Sequence, residues 1–199
     1  MPTDTPDINQ TIREAALRLF AEFGFSGTSV RDIASAVGIS PGHLTYHFPR
    51  KSDLFQAAVE TAYRQLVGDL QALAATPDLS AKCRLRLVLD RLWGLSPEER
   101  LMLRTALREL MTAPEHLGPI AKTMQLGHPV VLLGVLQECA VEGSLPAGTG
   151  IGLLPMIMGT LVFAPVMLSI ANAAIGDLGL IEIALKAGRD DLYRLLGLT

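Results

Sequence analysis

The stretch SPGHLTYHFPRK, Ser40 to Lys51, gathers His43, Tyr46, His47, Arg50 and Lys51 in twelve residues that hold no acid. Imidazole, phenol, guanidinium and ammonium groups all donate hydrogen bonds. A set of them without carboxylates suits a negatively charged partner, phosphate oxygens above all. Thr28, Ser29 and Arg31 lie just upstream, and from 28 to 51 the cations Arg31, Arg50 and Lys51 face Asp32 as the one acid. The whole chain is nonetheless acidic, with a net charge of −3. That balance argues against a protein that coats nucleic acid indiscriminately and places the positive character in a local patch.

The elements around this stretch can be read from capping signals and apolar spacing. Asp7 with Gln10 has capping-box spacing, and Ile8, Ile12, Ala15, Leu19, Phe20 and Phe23 recur at helical intervals, which predicts a helix over 8–23 closed by Gly24. Ser29 with Asp32 opens a second helix of about two turns, whose apolar stripe of Val30, Ile33, Ala34 and Val37 ends at Gly38. Ser40 and Pro41 then read as N-cap and first helical position of a third short helix that ends at Phe48-Pro49. Two short helices joined by a glycine-containing turn make a helix-turn-helix. Leu54, Phe55, Ala58, Val59, Ala62 and Leu66 continue as one face of a long fourth helix to about Ala75.

Composition extends the same plan to the end of the chain. Apolar residues make up 49% of 199 residues and aromatics only 5%, a balance that favours packed helices over a β-sandwich. Breaks at Ser96-Pro97, Ala113-Pro114, Gly127 to Pro129, Gly143 to Gly150 and Gly176 to Gly179 divide the rest into helices near 79–95, 98–112, 117–142 with a kink at Pro129, 151–174 and 180–196. The fold class is therefore all-α. Cys83 and Cys139 show no paired or metal-type spacing and no secretory signal precedes the first helix, so a cytoplasmic setting is expected.

Residues 11–55, TIREAALRLFAEFGFSGTSVRDIASAVGISPGHLTYHFPRKSDLF, resemble the DNA-binding head of the tetracycline-repressor (TetR) family. Gly24, Gly27, Thr28, Ile33-Ala34, Val37-Gly38-Ile39-Ser40, Gly42, Leu44, Tyr46-His47-Phe48 and Lys51 carry the likeness. The resemblance implies a three-helix head over 1–50 and a helical ligand-binding and dimerisation domain over 51–199. It implies DNA contacts from Thr28, Ser29, Arg31, Ser40, Pro41, Gly42, His43, Thr45, Tyr46, His47 and Lys51. A recognition helix presents its N-terminal residues to base edges, which assigns His43 to readout, while Tyr46, His47 and Lys51 suit phosphate oxygens. The chain departs from the family at Thr45, where a tyrosine is usual.

The family layout also implies a small-molecule effector and a homodimer. Six of the seven methionines lie beyond residue 100, and methionine adapts to permissive pockets. Trp93, Met102, Arg104, Met111, Met124, His128, Phe163 and Met167 are the candidate pocket residues, with Arg108, His116, Gln125 and Asn172 as further polar groups. No charge occurs from Ser144 to Gly176. That run approaches the length of a membrane span, but Pro155, Pro165 and the lack of flanking cations favour a subunit interface without a membrane. Leu161, Phe163, Met167, Leu185 and Leu192 are expected there. GTGIG at 148–152 lacks a preceding strand, and neither the cysteines nor the histidines give a nucleophile–base pair or metal spacing, so no enzyme, cofactor or metal is expected. The competing reading is a helical ligand-binding or membrane-associated protein without sequence-specific DNA binding.

Overall fold

In the computed structural model, residues 7–118, 120, 127–146, 152–176 and 179–198 are described. Among them there is no strand; the elements are α1 (Ile8–Gly27), α2 (Val30–Val37), α3 (Pro41–His47), α4 (Lys51–Ala74), α5 (Ala81–Trp93), α6 (Pro97–Thr112), a 3-10 turn (Pro114–Leu117), α7 (His128–Val141), α8 (Leu153–Met158), a π-helical turn (Gly159–Phe163), α9 (Ala164–Ile175) and α10 (Gly179–Leu195).

The element boundaries follow local chemistry. Asp7 caps α1 by accepting from the Asn9 N–H at 3.0 Å, and the Gln10 amide nitrogen donates to Glu14 one turn on at 3.0 Å. Gly24 breaks α1 at φ 77°, a region that favours glycine. A Cβ there would also lie 3.1 Å from Arg108 Nε. Pro129 stands near the start of α7 rather than at a kink within a longer helix, where its missing N–H costs nothing. Pro165 acts further along: lacking an N–H, it cannot continue the regular ladder, and just before it the Ala164 N–H reaches back five residues to the Gly159 carbonyl in a π-helical turn.

Contacts gather the chain into two compact units, Met1–Arg64 with Pro97–Met124, and Gln65–Ser96 with Gln125–Thr199. The division after residue 50 falls inside the first unit, whose core joins the head to α6. There Ile12, Leu17 and Phe20 of α1, Ile33 of α2, Leu44 of α3 and Phe55 of α4 are buried with Met102 of α6, and α1 packs along α6. Phe55 meets Phe20 and Phe25 edge-on at 5.1 and 5.2 Å. In the second unit Leu85, Leu89 and Leu92 of α5 are buried, and α5 packs on α7 and the π-helical turn. Tyr193 of α10 donates to Asp90 at 2.8 Å; burial first, and that carboxylate second, raise the phenol well above its ordinary pKa.

The segment Leu153–Asn172, of mean hydropathy 2.1, is long and apolar enough to cross a membrane by length and composition. Less than a third of it is buried within the chain.

Candidate nucleic-acid interface

Each short helix of the head has a fixed start. Ser29 Oγ accepts from the Asp32 N–H at 3.2 Å while the Ser29 N–H donates to Asp32 at 2.8 Å, the reciprocal box read from the sequence. Hydrogen bonding to the carboxyl by the Ser29 hydroxyl first, and by the Ser29 N–H second, holds Asp32 below its ordinary pKa. Gly38, at φ 78°, ends α2 by donating to the Ala34 carbonyl. Ser40 then caps α3, accepting from the His43 N–H at 3.1 Å. Leu44 is buried beneath α3, so one side chain anchors the seven-residue helix while its neighbours remain outside.

The expected contact residues divide into two groups. Arg31, Pro41, Gly42, His43, Thr45 and Tyr46 are exposed and His47 is half-buried; Tyr46, at 82%, is among the most exposed large side chains. Thr45 donates to the Gly42 carbonyl at 3.0 Å, so the free phenol of α3 is at 46, one position after the family's usual tyrosine. Ser29 and Ser40 are exposed but their hydroxyls serve as caps.

Thr28 and Lys51 form the second group, and both face inward. Thr28 is 2% exposed, and its hydroxyl donates to the Gly24 carbonyl at 2.8 Å. The Lys51 ammonium donates to the carbonyls of Phe25 and Thr28 at 2.8 and 2.9 Å, and stands 4.3 Å from the Phe25 ring centroid. Two of its three protons are thus committed to the turn after α1. A lysine at a helix start ordinarily reads as solvent-facing, and only the length of its stem, which lets the charge reach back, hinted otherwise.

Sequence reasoning missed Glu109. It is 3% exposed, accepts from the Phe25 N–H at 2.9 Å, and lies 2.6 Å from His116 Nδ1. A lone acid at the end of an amphipathic helix carries no signal of this kind. His116 and Arg108, named as groups for a ligand, are engaged here: Arg108 donates to the Glu22 carbonyl at 2.7 Å.

The comparison with known families decides what this head is. Residues 12–58 match the model of bacterial regulatory proteins of the tetR family. The match is to the head, residues 12–58. The chain is 38% identical over 68 residues to the HTH-type transcriptional regulator AcrR of Shigella flexneri, a match covering 34% of this chain and 31% of that relative. It is 29% identical over 150 residues to the HTH-type transcriptional repressor AcnR of Corynebacterium diphtheriae, covering 67% and 77%. Among solved structures, the chain is similar in fold to PfmR of Thermus thermophilus, with a TM-score of 0.70 at 22% identity over 96% of each chain. FadR of Bacillus subtilis in complex with stearoyl-CoA aligns with a TM-score of 0.68 at 21% identity, over 90% of this chain and 96% of that one. These likenesses bear out the all-α plan.

The remaining expected residues fall in both units. In the first unit Met102 is buried, Arg104 half-buried and Met111 77% exposed; Met124 and Gln125 lie outside the described residues. In the second, Trp93 is half-buried beneath the Arg189 guanidinium at 5.1 Å, and burial lowers the His128 imidazole to a pKa of about 4. Leu161 and Leu192, expected at a subunit interface, are instead buried in their own unit's core at 0% and 3% exposure. Phe163 and Met167 stay exposed and Leu185 half-buried. The charge-free run turns one side inward, and the sequence alone does not say which.

Proposed function

We propose that the chain is a DNA-binding transcription regulator of the cytoplasm. In this reading it is a repressor that binds a palindromic operator as a homodimer and leaves it when a small apolar or amphipathic ligand binds. The observation that carries the reading is the α2–α3 pair: two capped helices meeting at Gly38, with Arg31, His43, Thr45 and Tyr46 exposed. Small residues Pro41 and Gly42 at the start of α3 permit close approach to base edges. The surfaces of the π-helical turn, α9 and α10 supply the apolar area a second copy would cover, since Phe163, Met167, Leu180 and Ile183 are all exposed. The amphipathic class of ligand is supported by the stearoyl-CoA held by the Bacillus subtilis FadR structure.

Titration of a duplex from the protein's own promoter region, against a scrambled duplex and across a salt series, tests the reading. Sequence-selective binding whose logarithm falls linearly with log salt is expected. Equal binding to both duplexes at every salt concentration counts against it.

The hydropathy of Leu153–Asn172 favours one other reading, a membrane-associated protein. Sedimentation as a discrete species in detergent-free buffer rules that reading out, and aggregation relieved by detergent would support it.

A further inference from the structure

His43 and His47 stand one helical turn apart on α3, and their Nε2 atoms are 3.2 Å from each other. Ring centroids lie 5.1 Å apart. The ring of Tyr46 meets that of His47 edge-on at 5.4 Å, steadying it. Positions i and i+4 share one helix face, and the helix beneath them is fixed by the Ser40 cap and buried Leu44. This places two imidazole nitrogens, both at the outer edge of their rings, on a solvent-facing and anchored scaffold.

That separation is the bite of a chelate. An ion about 2.0–2.1 Å from each nitrogen, the usual imidazole–metal distance, would subtend roughly 100–105° between them, between the octahedral cis angle and the tetrahedral one. We infer that His43 and His47 form a bidentate bis-imidazole site for a borderline divalent transition metal, and that the ion competes with DNA for α3.

The chemistry sets the class of ion. Two neutral imidazoles suit nickel, copper or zinc and not calcium or magnesium, which prefer oxygen donors. Among the described residues no third His, Cys, Asp or Glu joins the pair, so water fills the remaining positions. The 3.2 Å separation lets an Nε2–H of one ring donate to a bare Nε2 of the other, with the tautomer setting which ring donates. Chelation needs a lone pair on both, which is met when that proton moves to Nδ1 of its own ring; neutral rings therefore release no net proton. The competition rests on the regulator reading. A hydrated ion on His43 and His47 takes the edges that would meet a base or phosphate and stands between α3 and the groove.

Calorimetric titration of the full chain with Ni2+, with Mg2+ as the comparison ion, tests the site without DNA. One Ni2+ per chain is expected, with affinity falling roughly tenfold or more in His43→Gln and again in His47→Gln, because each removes the intramolecular second ligand. Circular dichroism should show both variants as helical as the parent, since both side chains lie on the outer side of α3. Unchanged Ni2+ affinity in either variant, or Mg2+ binding of equal strength, overturns the site. Competition is read with a labelled duplex of mixed sequence at low salt. Ni2+ should weaken duplex binding by the wild type, a chelator should restore it, and Mg2+ at the same concentration should not weaken it. Duplex binding that is unmoved or strengthened at saturating Ni2+ overturns the competition. Ni2+ binding through both histidines in a chain that binds no duplex even without metal upholds the site and removes the regulator reading instead.

Discussion

Phe25 donates its backbone N–H to Glu109 Oε1 at 2.9 Å, joining residues 84 positions apart. Its carbonyl accepts from the Lys51 ammonium at 2.8 Å. Both polar groups of one peptide residue are therefore held by charged side chains from two other helices, α6 and α4. Gly24 turns the chain immediately before this residue, and Thr28, buried, closes the turn behind it by donating back to the Gly24 carbonyl. Since α2 begins two residues after Thr28, the start of the helix-turn-helix is positioned from outside itself.

Glu109→Ala should destabilise the first unit by about 2–3 kcal/mol, because it leaves the Phe25 N–H and His116 without their acceptor in a buried place. Glu109→Gln keeps an acceptor for Phe25 and should cost about 1 kcal/mol. Urea unfolding compares them. If the alanine variant unfolds with the glutamine variant, the Phe25 bond contributes little.

How far the sequence revealed this arrangement depends on range. The starts of α2 and α3 were legible because Ser29–Asp32 and Ser40–Pro41 act within one turn, and Gly38 ends α2 by its own backbone preference. The helical plan of the remainder was legible from proline and glycine breaks. What joins Phe25 to Glu109, or Lys51 to Thr28, is set by packing between distant segments and leaves no local spacing. The same limit explains Leu161, since an unbroken apolar run has no polar face to mark which side turns inward; Leu192 lies among charges on α10, where spacing marks an inward face but not whether its own unit or a second copy covers it. His43 and His47 show the reverse case, since their spacing was visible but only the 3.2 Å between their nitrogens gives it meaning.

His128 supplies a pH dependence of stability. Burial lowers its folded pKa from 6.5 to about 4, so as pH falls the unfolded chain takes up the proton first. The contribution is fully present above about pH 6.5, declines by roughly 1.4 kcal/mol per pH unit, and levels off below about pH 4, for a total near 3 kcal/mol. Between about pH 7 and 4 the wild type should therefore lose about 3 kcal/mol more than His128→Gln, with the carboxylates common to both cancelling. Parallel pH profiles of the two proteins would remove His128 as the cause.

Dimerisation should depend on the exposed apolar residues of the π-helical turn and α10 and not on the buried ones. Phe163 and Ile183 are 43% and 65% exposed, and Phe163→Asp or Ile183→Asp would put an unpaired charge into an interface while sparing the fold. Both variants should sediment as helical monomers. Leu192→Asp, by contrast, places a charge in the second unit's core and should abolish folding. A dimer that survives both Phe163→Asp and Ile183→Asp would move the interface elsewhere.

Lys51 and Arg31 separate a cation held within the head from one exposed on its surface. Lys51 is held by two carbonyls and the Phe25 ring, whereas Arg31 is exposed near the start of α2. A cation that neutralises phosphate contributes to counterion release and sets the salt slope of binding; one buried in a turn does not. Arg31→Ala should flatten that slope by about 0.9 log units per lost contact, nearly two for a symmetric dimer, and weaken operator and scrambled duplex alike. Lys51→Ala should leave the slope unchanged and lower unfolding stability by about 1–3 kcal/mol, since charge-assisted bonds to two carbonyls are lost. Duplex titrations at several salt concentrations, paired with urea unfolding, read both effects. A Lys51→Ala variant of full stability whose slope falls as it does for Arg31→Ala would show that its ammonium leaves the turn to meet phosphate, and that the arrangement around Phe25 yields when DNA binds.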